Sequence, residues 1–444
     1  SMSAQGPIDH APAPSPAARL TPAQEQAVMH RGGPLIVVAG PGTGKTRVII
    51  HRIASLISEG VEPEQIVAVT FTVKAAEQMR ARLAEMLGAS AGGTLLAARV
   101  NVHTFHGLGL RILNRFPDLA GLPGQVELLD GPQGRAILRD LITDLKILPE
   151  AAGAGREAIL AMATSFQERL WNAGVEPASA MQHALAWGRR LDEEQGALPK
   201  GDEEARAAHR EAHLEARHHQ RRAFELARLL IAAEQEMRGR GLCAFGDMIA
   251  LPIRLLSTHD SAAAVVRQEY RHYVVDEFQD VNAAQVKLLR LLCLPVDGGG
   301  LGPDLCVVGD DDQAIYAFRG SDERAMHLFA QVYPQHQRIT LEENFRSRAC
   351  IVDFAGAIME GAPERFSAGK RLRAAGPLAG EPGPMVQHVK TEKESGDAPV
   401  VAAILRQMRA ERPGVPWERY AVIARTNPEL DRISTALALA GIPA

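Results

Sequence analysis
The stretch "PLIVVAGPGTGKT", residues 34–46, limits this chain more than any other. An aliphatic run without polar alternation reads as a strand covered on both faces. It stops at a glycine-rich loop read as G-x-x-x-x-G-K-[ST], and a helical pattern follows from about Lys45 to Ser58. Strand, loop and helix in that order make a phosphate site. Glycines let backbone N–H groups close round oxygens, and the helix start adds partial positive charge. Lys45 would reach the β/γ-phosphates and the Thr46 hydroxyl would bind Mg²⁺. Ala39, Gly40, Pro41, Gly42, Thr43 and Gly44 would form the cradle.

The alternation continues. "QIVAVTFT" leads into "VKAAEQMRARLAEML", and "ARVNVHTF" into "HGLGLRIL". Later, "HYVVDEF" precedes a helix from about Asn282 to Leu292, and "LCVVGD" precedes a short one. Strands alternating with helices predict an α/β fold with a doubly wound parallel sheet. Residues 113–245 carry no convincing strand and are expected to be an all-helical insertion. Within them, "GDEEARAAHREAHLEARHHQRR" mixes charge signs and reads as a solvated helix. His209 and His213 share a helical face there, but no cysteine is near, so an exposed helix is preferred to a metal site. From residue 336, "QRITLEENFRS", "PMVQHVK" and "YAVIART" are expected to begin a second α/β domain. The expected segments are therefore a disordered Pro/Ala tail (1–19), a first domain in two parts (20–112 and 246–335) interrupted by the insertion, and a partial second domain (336–444).

Composition excludes several classes. With 46% hydrophobic and 23% charged residues, 444 residues can build two or more ordinary globular cores. No run of about eighteen apolar residues occurs, and no secretory leader is recognisable. The four cysteines form no C-x-x-C pair, which fits a reducing cytoplasm. A net charge of −4 is not that of a protein that coats nucleic acid, so any such site must be a local groove. Ser1 ahead of Met2 reads as a cloning scar.

"YVVDEFQD", residues 273–280, supplies the acids a phosphate loop needs. Asp276 ends an apolar strand, where ligands of such sheets bind, and would hold Mg²⁺. Glu277 would orient and deprotonate the attacking water.

With these residues in place the chain closely resembles the UvrD/Rep/PcrA family of superfamily 1A DNA helicases, from Leu20 to Pro443. "LTPAQEQAV" resembles the opening motif, whose glutamine, here Gln24, reads adenine. "VTFTVKAAEQMRARL" and "VNVHTFHGLGLRIL" resemble DNA-contacting segments, which implies DNA contact for Phe71, Thr72, Thr104, Phe105 and His106. "FGDMIALPIRLL" matches the return from the helical insertion. "VVDEFQDVN", "VVGDDDQAIYAFRG" and "LEENFRS" match the next three motifs. The resemblance implies RecA-like domains, with ATP and Mg²⁺ as cofactors and single-stranded DNA and single/double-strand junctions as partners. It also implies that Gln313 lies near the γ-phosphate while Tyr316 and Phe318 stack on bases. Arg346, carried by the second domain, would meet the γ-phosphate as an arginine finger does, and Phe345 would stack on adenine. Phe345 stands where the family usually has tyrosine, and Phe318 where it has tryptophan. Asp310, Asp311 and Asp312 are expected to cap the following helix and join the Mg²⁺ network.

Two later family motifs are absent, so the chain reads as an N-terminal portion that binds ATP·Mg²⁺, hydrolyses it weakly and does not unwind duplex alone. The leading expectation is an ATP-driven 3′-to-5′ translocase or helicase of DNA repair or replication restart. The competing ones are an ATP-binding DNA clamp without motor activity, or a subunit of a helicase–nuclease complex. A small-molecule kinase would share the loop but give no account of Tyr316, Phe318 or Arg346.

Overall fold
The computed structural model describes residues 19–88, 91–124, 126–149, 155–195, 203–294, 304–316, 324–362, 365–381, 383, 386–391 and 396–443. The chain enters through α1 (Pro22–Met29), β1 (Leu35–Ala39), α2 (Lys45–Ser58), β2 (Ile66–Thr70), α3 (Val73–Leu87), α4 (Ala91–Arg99), β3 (Asn101–Thr104) and α5 (Phe105–Arg115). Then come β4 (Glu127–Leu128), α6 (Gly131–Asp144), α7 (Arg156–Ala173), α8 (Pro177–Gln195), α9 (Glu203–Gly239) and β5 (Leu242–Cys243). It returns through α10 (Asp247–Thr258), α11 (Asp260–Glu269), β6 (His272–Val275), α12 (Ala283–Leu292), β7 (Asp304–Gly309), α13 (Ala325–Val332) and β8 (Gln337–Leu341).

The aliphatic runs align as a six-stranded, wholly parallel sheet in the order β3-β2-β6-β7-β1-β8. Successive side chains of a strand point to opposite faces. Ile36 and Val38 therefore enter one core with α5, α10 and α12, while Leu35, Val37 and Ala39 enter another with α2 and α3. That is why these strands show no polar alternation. β8 lies beyond the expected boundary at residue 335, yet it pairs with β1 along its whole length. The first sheet needs that strand to cover the edge of β1, so its boundary moves C-terminal.

Helices α6, α7 and α9 share a core of their own around Leu138, Ile142, Ile159, Leu226 and Leu230. The insertion was expected to hold no strand. Instead β4 and β5 pair in parallel at its base. Two residues are too short for any periodicity to reveal.

Close approach at one glycine fixes how α5 meets α10. A Cβ on Gly109 would fall inside the van der Waals radius of the Met248 carbonyl oxygen, a backbone atom that cannot swing aside. Gly109→Ala is expected to cost about 1–3 kcal/mol by overpacking, read as a lower urea midpoint with an unchanged slope. A midpoint equal to wild type would mean the helices do not cross this tightly.

Beyond β8 the chain forms β9 (Glu343–Asn344), α14 (Ala349–Met359) and β10 (Arg373–Ala374), with β9 and β10 paired in parallel. These stay with the first sheet in one compact unit ending at Glu381. The unit from Pro382 packs α15 (Asp397–Glu411) on α16 (Asn427–Leu439) around Ala402, Leu405, Leu437 and Ile442. The strands expected here do not form among the described residues. Residues 386–391 and 421–424 make no ladder, and Ile423 is 92% exposed. A strand needs a neighbour for its backbone groups, and none of the described residues of this unit supplies one.

No helix among the described residues is long and apolar enough to cross a membrane. The cysteines are free thiols.

Candidate functional site
β1 ends at Ala39, and the chain curls through Gly42 (φ 70°) and Gly44 (φ 85°) into α2. Positive φ at both positions is what glycine permits without strain. The first position of the loop pattern is Ala39, not glycine. As a wholly buried strand residue it needs no left-handed backbone, so the loop keeps its shape. No side chain caps α2, leaving the kind of helix start that attracts anions. The Thr43 hydroxyl donates to the Gly40 carbonyl at 2.7 Å, and the Thr43 carbonyl accepts Gln24 Nε2 at 2.9 Å. Gln24 is 2% exposed and its Oε1 accepts the Thr21 N–H at 3.1 Å, so it ties α1 to the loop. With Phe345, Thr43 and Leu341 it lines a cavity of about 260 Å³. That is just under the ~300 Å³ where drug-sized pockets begin, a size for one ring system rather than a whole nucleotide.

β6 delivers Asp276 and Glu277 beside this loop. Glu277 sits at φ 47°, a left-handed conformation unusual for a non-glycine residue and often found at functional sites. Its Oε2 lies 3.3 Å from Lys45 Nζ and accepts Gln279 Nε2 at 2.7 Å. Asp276 accepts the Glu277 N–H at 2.9 Å. Burial, and then the Glu277 charge, push the Asp276 carboxyl up to about 6. The same two causes push Asp280 up to about 6. A buried carboxylate raised in this way is donor chemistry that a divalent cation satisfies, so Asp276 fits a ligand of Mg²⁺.

The three aspartates after β7 behave otherwise than expected. Asp310 does cap the turn Asp311–Gln313, accepting the Asp312 N–H at 3.2 Å. The carboxylates approach within 4.8 Å of one another, but Arg365, Lys370 and the Phe366 N–H meet them. Two cations of the chain itself, Arg365 and Lys370, thus offset most of the charge of these three carboxylates and engage Asp310 and Asp312 directly.

On the adjoining face, the rings of Phe71 and Tyr316 stack 5.7 Å apart at 18°. Both line a cleft of about 470 Å³ that also contains Asp276, Glu277, Asp280 and Gln313. Phe318 falls outside the described residues. Thr72 and Thr104 cap α3 and α5 through the N–H groups of Ala75 and Gly107, each at 3.1 Å. Phe105 is 4% exposed inside the core under β2, so DNA contact is withdrawn for it. Burial pushes the His106 imidazole down to about 4, which leaves it neutral near pH 7. It can offer a flat ring, not a charge for phosphate.

Arg346 was expected to arrive from a second domain. It belongs instead to the unit that holds β1. Asn344 Nδ2 donates to the Pro41 carbonyl at 2.6 Å, and the Phe345 N–H to the Gly42 carbonyl at 2.9 Å. Asn344 Oδ1 accepts the N–H groups of Arg346 and Ser347 at 2.9 and 2.8 Å. Residues 344–346 thus sit on the phosphate loop. A Cβ on Gly42 would approach Arg346 Cβ and Asn344 Nδ2 to 2.8 Å.

Sequence reasoning passed over Asn344, Gln279, Lys370 and Phe245. Phe245 is 62% exposed and stacks on His106 at 3.9 Å. An aromatic residue just ahead of α10, outside any apolar run, was the available signal. The others are polar residues inside loops, and only contacts reveal their partners.

Residues 20–334 match the family model described as the UvrD/REP helicase N-terminal domain. The chain belongs to the UvrD/REP helicase family. It is 33% identical over 443 residues to the ATP-dependent DNA helicase UvrD1 of Mycobacterium tuberculosis, covering 97% of this chain and 50% of that protein. It is 29% identical over 421 residues to the ATP-dependent DNA helicase PcrA of Leuconostoc citreum, covering 95% of this chain and 48% of that one. The chain therefore spans about half the length of the curated relatives it matches.

Proposed function
We propose that this chain is the nucleotide-binding, strand-gripping part of an ATP-dependent DNA helicase that moves 3′-to-5′ along single-stranded DNA and engages single/double-strand junctions during DNA repair. The observation that carries the reading is the single cleft lined by Asp276, Glu277 and Gln313 together with Phe71 and Tyr316. In this reading Lys45 and the backbone of residues 39–46 hold the phosphates of ATP. Gln24 and Phe345 flank the adenine, and Thr46 and Asp276 hold Mg²⁺. The metal, when bound, supplies charge neutralisation between the phosphates. Glu277 orients the attacking water and accepts its proton. Gln313 senses the γ-phosphate, and Arg346 stands beside the loop to meet developing charge.

Phe71 and Tyr316 give any base a π-face to stack on, which suits movement along arbitrary sequence. Phe71→Ala and Tyr316→Ala are each expected to weaken single-stranded DNA binding by about 5- to 150-fold, from about 1–3 kcal/mol of stacking per base. ATP affinity should stay within about twofold of wild type, because in this reading Lys45 and the backbone of residues 39–46 hold the nucleotide. Fluorescence anisotropy with a short labelled oligonucleotide measures the first, and titration with a fluorescent ATP analogue the second. DNA affinity unchanged in both variants would remove the strand site from this cleft. A wild-type chain that binds ATP and shifts its DNA affinity without any turnover would make it a clamp rather than a motor.

A further inference from the structure
Two basic residues in the segment after α14 reach back to the turn that carries Gln313. Arg365 forks onto Asp312 with Nε at 2.7 Å and Nη2 at 2.6 Å. The Phe366 N–H donates to Asp311 Oδ2. Lys370 Nζ meets Asp310 Oδ1, and Asp312 Oδ2 at 2.7 Å. Lys370 is 4% exposed and Asp310 not at all. A buried ammonium is expensive unless paired, and removing one partner of a buried pair strongly destabilises the fold. The Arg365 fork already anchors the turn through Asp312, with both side chains only about one-tenth exposed.

Asp310 divides its two oxygens between two tasks. Oδ1 takes Lys370 and the Asp312 N–H, while Oδ2 accepts Gln313 Nε2 at 2.6 Å. The Asp310 N–H donates to Gln279 Oε1 at 2.9 Å, and Gln279 Nε2 donates to Glu277 at 2.7 Å. Glu277 in turn faces Lys45 at 3.3 Å. One unbroken polar chain runs from the phosphate loop to the segment 365–370.

We infer that Lys370 is a positioning residue for Gln313: by fixing the Asp310 carboxylate it orients the Gln313 amide, so that docking of residues 365–370 on the 310–313 turn sets how the cleft responds to nucleotide. What Gln313 senses rests on the reading above. The positioning rests on the contacts alone, and the test separates the two.

Hydrogen exchange reads the positioning without any catalysis. Lys370→Met is expected to speed exchange of the Asp312 and Gln313 amides by about tenfold or more while residues 39–46 keep their protection. Because a lone buried Asp310 charge could unfold the chain, the pair Lys370→Met with Asp310→Asn removes both charges of the buried pair, leaves the Arg365–Asp312 fork intact and should show the same local loss. Kinetics read the consequence. Lys370→Met should lower DNA-stimulated kcat about tenfold with KM for ATP within about twofold, and Lys370→Arg should restore most of it. Added to Gln313→Ala, Lys370→Met should cost less than about twofold more, since both act through one group. Unchanged amide exchange in both Lys370 variants, or losses that multiply in the double variant, would overturn the inference. If the wild type shows no DNA-stimulated turnover, the helicase reading falls and exchange alone decides the positioning.

Discussion

Replacing Lys45 with alanine is expected to lower ATP turnover by about 100- to 1,000-fold, the cost of removing one fixed donor from a developing charge. Lys45 opens α2 at the end of the phosphate loop, and its ammonium lies 3.3 Å from Glu277. Losing it removes the cation that would face the β/γ-phosphates. It also leaves Glu277 and Asp276 side by side with less to offset their repulsion, where Asp276 is already pushed up to about 6. The fold should survive, because α2 is held by Val48, Ile49, Ile53 and Leu56 on its buried face. The measurement is steady-state ATPase with and without single-stranded DNA, alongside thermal melting to confirm the fold. Turnover and ATP affinity equal to wild type would dismiss the nucleotide site.

The second large effect is on stability. Asp304→Asn is expected to cost about 3–5 kcal/mol at neutral pH by leaving a buried guanidinium without its counter-charge. Arg52, on α2, is fully buried. It donates to the Ala27 and His30 carbonyls at the end of α1 and to Asp304 on β7, so one side chain joins the helix bearing Gln24 to the sheet. His272 Nδ1 lies 2.7 Å from the other Asp304 oxygen. Burial pushes the Asp304 carboxyl up, but the His272 hydrogen bond and the Arg52 charge outweigh it and hold it below its ordinary value of 3.8. A carboxylate with a depressed folded pKa contributes stability above its unfolded value and loses it only as pH falls through the folded one. The gap between wild type and variant should thus stay constant from about pH 8 to about pH 5 and narrow only in stronger acid. Urea denaturation across that range measures it. A gap that closes already near pH 6 would mean the carboxylate is not the group holding Arg52.

How much was legible follows from the length of the pattern involved. β1, α2, β2 and α3 were readable because apolar runs and helical stripes several residues long leave few alternatives. β4 and β5 were not, since a two-residue pairing is decided by what lies opposite. "YAVIART" has the composition of a strand yet makes no ladder, because composition cannot supply a partner. At the site, Lys45, Asp276 and Glu277 sit at fixed offsets from a strand end, so spacing located them. Phe105 was misplaced because a threonine–phenylalanine pair at a strand end does not say which side chain turns inward. The helix start of α5 faces Phe105 into the core and His106 toward Phe245.

What the sequence determined by itself was local and covalent: a phosphate loop with its three glycines, acids just past a strand, and residues 313 and 316 held three apart in one loop. Tertiary structure alone decided which charges neutralise which. The Asp310–Asp312 cluster looked like a metal network, and only the approach of Arg365 and Lys370 from more than fifty residues away made it an internal ion cluster. Coulomb energy and desolvation depend on distance in space and on burial, and neither is written in the spacing along a chain.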